Sequence, residues 1–230
     1  MSPTSTPTAE QAALARILDG RYTCRQFRPD PVPRATIETL LRMAQRTPSW
    51  CNTQPWQVVV TEPAATDRFR KELLEHIQTA TPAPDLPFPG QYTGAYRDRR
   101  RECGKQLYES VGIARGDNAG SMHQMLRNFE LFDAPHVAIV TTEAELGVYG
   151  AVDSGLYIGT FLLAAQSLGL GAAPQAALAG YSPFLRSHFG IPEHRQVVAG
   201  ISFGYADTEH PVNSFRTTRA DLDQVVTFVD

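Results

Sequence analysis

The sequence predicts an α+β sandwich, a central sheet with helices packed on it. Three observations lead there. Short β-branched or apolar runs, at 56–61, 136–141 and 196–205, alternate with segments whose apolar residues recur at helical spacing. One segment, 151–168, is apolar on nearly all sides, as a helix is in a large core or a subunit interface. The 230 residues are 42% hydrophobic and 20% charged, enough to bury a core in one domain.

The elements follow in order. Residues 1–9 read as a flexible leader, and 10–230 as a single domain. Residues 10–19 suit a helix with Leu14, Ile17 and Leu18 on one face. A polar, Pro-punctuated segment leads to a second helix at 34–46, patterned by Ile37, Leu40, Leu41 and Ala44. A loop at 48–55 enters a buried strand at 56–61, where Val58, Val59 and Val60 are consecutive. A helix is expected at 64–79. Pro82, Pro84, Pro87 and Pro89 then make 80–95 a loop. Helices at 102–111 and 119–132 follow. The insertion at about 80–118 reads either as a lid or substrate wall, or as a solvated excursion. A strand at 136–141, the apolar helix at 151–168, a small-residue stretch at 171–178, a short helix at 183–189 and a strand at 196–205 complete the core. The tail, 206–230, ends with Leu222, Val225, Val226 and Phe228, which need something to cover them.

Several function classes are excluded. The formal net charge of −3 argues against a surface that attracts nucleic acid everywhere. No membrane span is expected, because the longest apolar stretch, 156–170, is interrupted and shorter than the roughly 20 residues a bilayer needs. Six scattered histidines have no ligand spacing, so no metal site is expected. Gly169-Leu-Gly-Ala-Ala-Pro174 has proline where a dinucleotide fingerprint needs its third glycine, and it follows a helix. Three widely spaced cysteines form no disulfide framework, and the N-terminus lacks an export signal, so a cytoplasmic protein is expected. Of 21 basic residues only Lys71 and Lys105 are lysine, leaving 19 arginines. That skew reflects either codon habit or arginines that grip a planar or phosphorylated ligand.

Four segments carry chemistry. In Arg21-Tyr-Thr-Cys-Arg-Gln-Phe27 an extended backbone puts Arg21, Thr23, Arg25 and Phe27 on one face. That face suits a ligand with a phosphate at one end and a ring-like body; a solvated loop is the alternative. In Pro48-Ser-Trp-Cys-Asn-Thr-Gln-Pro-Trp56, Ser49, Asn52 and Gln54 offer donors and acceptors for a heterocycle with imide and carbonyl edges, or for the loop's own backbone. In Gly169-Leu-Gly-Ala-Ala-Pro-Gln-Ala-Ala-Leu178 small side chains let backbone N–H groups approach a flat ligand. Pro211-Val-Asn-Ser-Phe-Arg-Thr-Thr-Arg219 places a second pair of arginines near the chain end.

These four segments, in this order, resemble the FMN-dependent nitroreductase-like family over residues 10–229. The first resembles its Arg-x-Ser/Thr-x-Arg/Lys-x-Phe pattern and the second its Pro-Ser-x-x-Asn-x-Gln-Pro-Trp pattern. The helix with Asp153 and the Gly-Leu-Gly that closes it match as well. The resemblance implies a mixed central sheet flanked by helices and an intertwined homodimer with FMN at the interface. It implies that Arg21 and Thr23 hold the flavin phosphate, helped by Arg219 and Arg216, that Tyr22 also belongs to the cofactor site, and that Arg25 reaches the ribityl and pyrimidine region. Pro48, Ser49, Trp50, Asn52 and Gln54 would run along the flavin, in part from the partner chain. Pro174, Gln175, Ala176 and Ala177 would cover one ring face. It further implies NADH or NADPH as a transient donor and a ping-pong transfer of hydride to nitroaromatic or quinone acceptors. No side chain is singled out as a catalytic acid or base.

Two departures stand out. Trp50 and Cys51 occupy positions where the family prefers small residues. Glu130 stands where a lysine is common, so Arg127 or Asn128 would supply the pyrimidine contact. Reductive dehalogenation, another flavin-dependent oxidation and a flavin-binding module without turnover remain alternatives.

Overall fold

The computed structural model describes residues 6–229, so residues 1–5 of the expected leader and Asp230 of the expected tail lie outside it. The leader ends sooner than expected, because Thr8 caps α1 (Ala9–Gly20). Its hydroxyl accepts from Gln11 N at 3.2 Å, and Gln11 Oε1 accepts from Thr8 N at 2.8 Å. Next come α2 (Arg34–Ala44), β1 (Gln57–Val60), α3 (Pro63–His76), α4 (Gly94–Ser110) and α5 (Asn118–Leu126). Then follow β2 (His136–Glu143), α6 (Gly147–Ser167), β3 (Gly171–Gln175), α7 (Ala176–Ala179), α8 (Ser182–Phe189) and β4 (Arg195–Gly204). The helix expected to reach 132 stops at Leu126, and the chain turns back through Leu131, Phe132 and Asp133 at φ of 57°, 54° and 61°.

The four strands lie in the order β1-β2-β4-β3, and every neighbouring pair is antiparallel. The sheet is therefore not mixed, contrary to the implication of the resemblance. β2 and β3 do point the same way, with α6 carrying the chain between them. β4 slots between the two and pairs antiparallel with both. Among the described residues the one parallel pairing is a single bridge, Thr23 to Ala172.

Both faces of the sheet are covered. On β2, Ala138 and Val140 face α2 and α6, while Val137 and Ile139 face the side of α3 and α8. Val140 and Thr141 of β2 pair with Ala199 and Val197, which leaves Val198 as an extra residue on β4. That bulge lets Val197 join one core while Ile201 and Phe203 join the other. β1 is an edge strand with one neighbour, so its valines are only half-buried, less than expected.

The apolar helix is longer than its sequence suggested and is buried on one side only. α6 inserts Asp153, Tyr157, Phe161, Ala164 and Ala165 into the molecule against α2 and the sheet. Val148, Tyr149, Val152 and Leu156 stand exposed on its other side. With the turn before it, α6 is long and apolar enough to cross a membrane by length and composition, although its inner face is committed to this core. A Cβ on Gly155 or Gly159 would meet nothing. Phe161 meets Phe203 edge-on at 5.6 Å and is fully buried. Phe161→Ala is expected to lower unfolding stability by about 3–5 kcal/mol in urea titration.

Candidate functional site

The two ends of the chain meet at the β3 edge of the sheet. Residues 21–27 form an irregular rim there. Thr23 bridges to Ala172, Cys24 N donates to Ala172 O at 3.1 Å, and Phe27 bridges to Ala206. Gly171 makes this approach possible, since a Cβ there would lie 3.0 Å from Cys24 Sγ. Cys24 and Phe27 share one buried cluster, so strict alternation fails and Phe27 leaves the ligand face assigned to it. Burial pushes the Cys24 thiol up to about 11, which leaves it protonated at neutral pH.

Arg21, Tyr22, Thr23 and Arg25 line a cleft of about 310 Å³ together with Phe215, Arg216 and Arg219 of the tail. Four guanidinium groups thus face one space, with Asp19 as the sole carboxylate lining it among the described residues. None of the four has a carboxylate partner within 4.0 Å among the described residues. Burial, then the charge of Arg219, lower the Arg21 pKa, and burial lowers that of Arg25. Aromatic rings hold the arginines reciprocally. Arg216 of the tail lies 3.7 Å over the Tyr22 ring, and Arg25 lies 5.5 Å from the Phe215 ring centroid. Arg21 and Arg25 are partly desolvated, while Arg216 and Arg219 are exposed and donate to carbonyls of the tail; four guanidinium groups free of carboxylates with a threonine hydroxyl beside them are the donor set of a phosphate monoester.

Asn213, which the sequence reading quoted without a role, fastens this arrangement. It is buried. Its Oδ1 accepts from Arg25 N at 2.8 Å, and its Nδ2 donates to Gln26 O at 2.9 Å and Asp207 O at 2.7 Å. Its signal in the sequence was an amide three residues ahead of a tail arginine.

A second cleft, of about 410 Å³, lies on the other side of Arg25. Gln124, Arg127, His123 and His210 line it. Gln124 is buried and was also passed over in the sequence. Arg127 is occupied. It pairs with Glu130, with Asp133 at 2.7 Å and with Gln26 Oε1 at 2.9 Å. Burial pulls its pKa down, but the hydrogen bonds it donates to Asp133 and Glu130 outweigh this and raise it. Its guanidinium is therefore a latch for the rim rather than a free ligand donor. Asn128 stays half-buried, with Nδ2 donating to Met125 O at 3.1 Å.

At the end of β3, Ala176 is exposed and Pro174 and Ala177 are half-buried. The Gln175 side chain is used inside the fold: Nε2 donates to Asn128 O at 2.7 Å and Oε1 accepts from Ser202 Oγ at 2.6 Å. Only its backbone remains for a ligand.

The loop at 48–56 lies elsewhere. Trp50 N donates to both oxygens of buried Asp153, at 3.1 and 3.3 Å, and the exposed indole meets Tyr149 edge-on at 4.5 Å. Cys51, Asn52 and Gln54 have φ of 51°, 56° and 47°, a left-handed path that needs bracing. Ser49 Oγ accepts from Gln54 N at 2.9 Å, Gln54 Oε1 accepts from Gln45 Nε2 at 2.9 Å, and Pro55 O accepts from Arg195 Nη2 at 2.7 Å. The amide of Gln54 thus holds the loop to its own molecule, whereas Pro48 and the unbonded Asn52 side chain are exposed.

One helix measures the separation. Asp153 holds this loop near the start of α6, while Gly20 abuts Gln166 near its end. Thirteen residues of helix span about 20 Å. Within one chain, the structure therefore brings together the first, third and fourth segments and leaves the second at the far end of α6.

Asn213→Ala removes the acceptor of Arg25 N and the amide donor to Asp207 O, while Gln26 O keeps Asp207 N and Cys24 Sγ as donors. It is expected to cost about 1–3 kcal/mol and to speed cleavage of the tail in limited proteolysis.

Known proteins share this fold. The Nitroreductase family model matches residues 18–205. The FMN-dependent nitroreductase NfnB from Mycobacterium smegmatis, solved in complex with NADPH, superimposes with a TM-score of 0.91 at 35% identity, covering 95% of this chain and 99% of that one. The FMN and NADPH-dependent nitroreductase NfnB from Sphigopyxis sp. strain HMH gives a TM-score of 0.90 at 30% identity, covering 94% and 99%. The 4-nitrobenzoate reductase of Nocardioides sp. (strain LMS-CY) is 34% identical over 94% of this chain and 90% of its own. In sequence and in fold alike, this chain belongs to the nitroreductase family.

Proposed function

We propose that the protein is an FMN-dependent oxidoreductase that reduces nitroaromatic compounds with NAD(P)H. The observation that carries this is the cleft in which Arg21, Arg25, Arg216 and Arg219 face one another without carboxylate partners. The named relatives act through FMN and NADPH or on 4-nitrobenzoate, which supports the same reading.

The residues fit FMN in a consistent order. Arg21, Thr23, Arg216 and Arg219 hold the phosphate. Arg25 lines both clefts, so it and Gln124 meet the pyrimidine edge with a guanidinium and an amide. The backbone of 174–177 approaches the ring where small side chains leave room. Bound FMN supplies the redox chemistry, taking two electrons from NAD(P)H and passing them to the acceptor. Arg25 holds positive charge in a partly desolvated place, which favours negative charge at that edge. Donor and acceptor use one opening in turn, which gives ping-pong kinetics. Free thiols at Cys24, Cys51 and Cys103 support a reducing, cytoplasmic setting.

A second copy completes the site. Ser49, Trp50 and Asn52 lie about 20 Å along α6 from the arginines, so they serve the partner's flavin rather than their own. The exposed stripe of Val148, Tyr149, Val152 and Leu156, with open Gly155 and Gly159 beside it, suits close helix packing across a homodimer. The exposed tail residues Leu222, Val225 and Phe228 cover the partner.

Three measurements test this. The purified protein takes up FMN, is bleached by NAD(P)H without oxygen and is recoloured by 4-nitrobenzoate; a colourless protein that ignores FMN overturns the assignment. Arg21→Ala is expected to weaken FMN binding roughly 10- to 100-fold in flavin titration, with riboflavin affected far less. Analytical ultracentrifugation is expected to find a dimer, and a folded, flavin-loaded monomer contradicts the shared site.

A further inference from the structure

We propose that the cavity beside Ala177 takes an apolar substituent of the acceptor, so that the protein prefers uncharged, alkyl-substituted nitroarenes to nitrobenzoates. The proposal rests on the oxidoreductase reading above and names the acceptor class.

One wall comes from a helix whose apolar stripe is only partly used by the core. Met122, Met125 and Leu126 of α5, with Phe129 just beyond it, recur at helical spacing, as on a face turned to a core. Phe129 is buried and Leu126 half-buried, but Met122 and Met125 are 56% and 43% exposed. The stripe therefore runs out of the core along a cavity of about 680 Å³. That volume falls in the range of small-molecule sites. Methionine thioethers are adaptable and polarisable, so they suit aromatic and alkyl contacts.

The facing wall is fixed in place. Phe88 comes from the start of the insertion, and the chain ahead of it is tied to the core. Ala83 N donates to Gly180 O at 2.7 Å, Asp85 N donates to Ser182 Oγ at 3.3 Å, and Asp85 Oδ2 accepts from Val197 N at 2.8 Å. A Cβ on Gly180 would lie 3.0 Å from Ala177 O and 3.5 Å from the Phe88 ring, so bare backbone underlies Phe88 there. Tyr181, edge-on to Phe129 at 5.6 Å, lines the cavity between the two walls. A pocket built this way exists before its ligand arrives.

Chemistry and place select the occupant. Gln78 and the Tyr181 hydroxyl are the polar side-chain groups in the lining, and no charged side chain lines it among the described residues. A carboxylate entering there loses its water and finds no cation. An alkyl group gains by leaving water. Ala177 belongs both to this cavity and to the 174–177 stretch that approaches the flavin ring, and α5 carries Gln124 of the pyrimidine cleft on its other side. A nitroarene with its nitro group at the flavin thus has the cavity within reach of its far substituent.

The test uses the FMN-loaded full chain with 4-nitrotoluene and 4-ethyl-, 4-propyl- and 4-butylnitrobenzene. These alkyl groups have nearly equal electronic effects, so nitro-group reactivity stays level while length grows. kcat/KM for the acceptor is expected to rise about 4-fold per added methylene, and that of 4-butylnitrobenzene to exceed that of 4-nitrobenzoate. In the double variant Phe88→Asn, Met125→Asn the rise is expected to flatten. Calorimetry on the full chain gives a readout independent of turnover: 4-butylphenol, which has no nitro group, binds the unaltered protein more tightly than 4-methylphenol, and the difference vanishes in the double variant. A flat or falling series with the unaltered protein overturns the proposal. So does a rise that survives in the double variant, an equal loss with all four acceptors, or equal binding of the two phenols. A protein that reduces no nitroarene refutes the oxidoreductase reading; selective 4-butylphenol binding lost in the double variant would still uphold the cavity as an apolar ligand site.

Discussion

Four guanidinium groups held in one cleft repel one another, and the rim of the molecule is organised around that repulsion. Bringing them together takes fastening from several directions. Asn213 ties the tail to the backbone of Arg25 and Gln26. Tyr22 and Phe215 each carry the other segment's arginine. Arg127 locks Gln26 to Asp133. Cys24 anchors the rim to β3 through the space Gly171 leaves. These contacts are far apart in sequence, so the rim is a tertiary construction with no stable local precursor.

α6 supplies the second constraint. Its inner face completes the core, and its length keeps the rim and the 48–56 loop apart. The loop is nonetheless braced as firmly as any functional part: three left-handed residues, a buried carboxylate under Trp50 and a buried arginine under Pro55. That bracing fixes the exposed Trp50 and Asn52 in one presentation.

Much of this was legible in the sequence because it depends on local pattern. The spacing of Ile37, Leu40 and Ala44 marked the buried face of α2, and the valines of β1 marked a strand. What escaped depended on where segments meet. β1 reads as fully buried until its edge position is known. The direction of β3 relative to its neighbours depends on β4, which arrives later in the chain. Gln54, Gln175 and Arg127 have the right chemistry for a ligand, and only the fold shows that nearby partners already occupy them. Asn213 and Gln124 escaped for the opposite reason: a buried amide is recognisable only when its surroundings are.

The placing of β4 between β2 and β3 has a consequence for synthesis. β3 has no neighbour among the named strands except β4, so its ladder cannot form while β4 is still to be made. Arg216 and Arg219 emerge later still. The four-arginine cleft therefore does not exist on a growing chain until residue 219 has been made, while the apolar outer side of α6 is complete once the chain passes residue 167. During biogenesis the core strands come first and the cleft last, with an exposed apolar helix face open to solvent or chaperones in the interval.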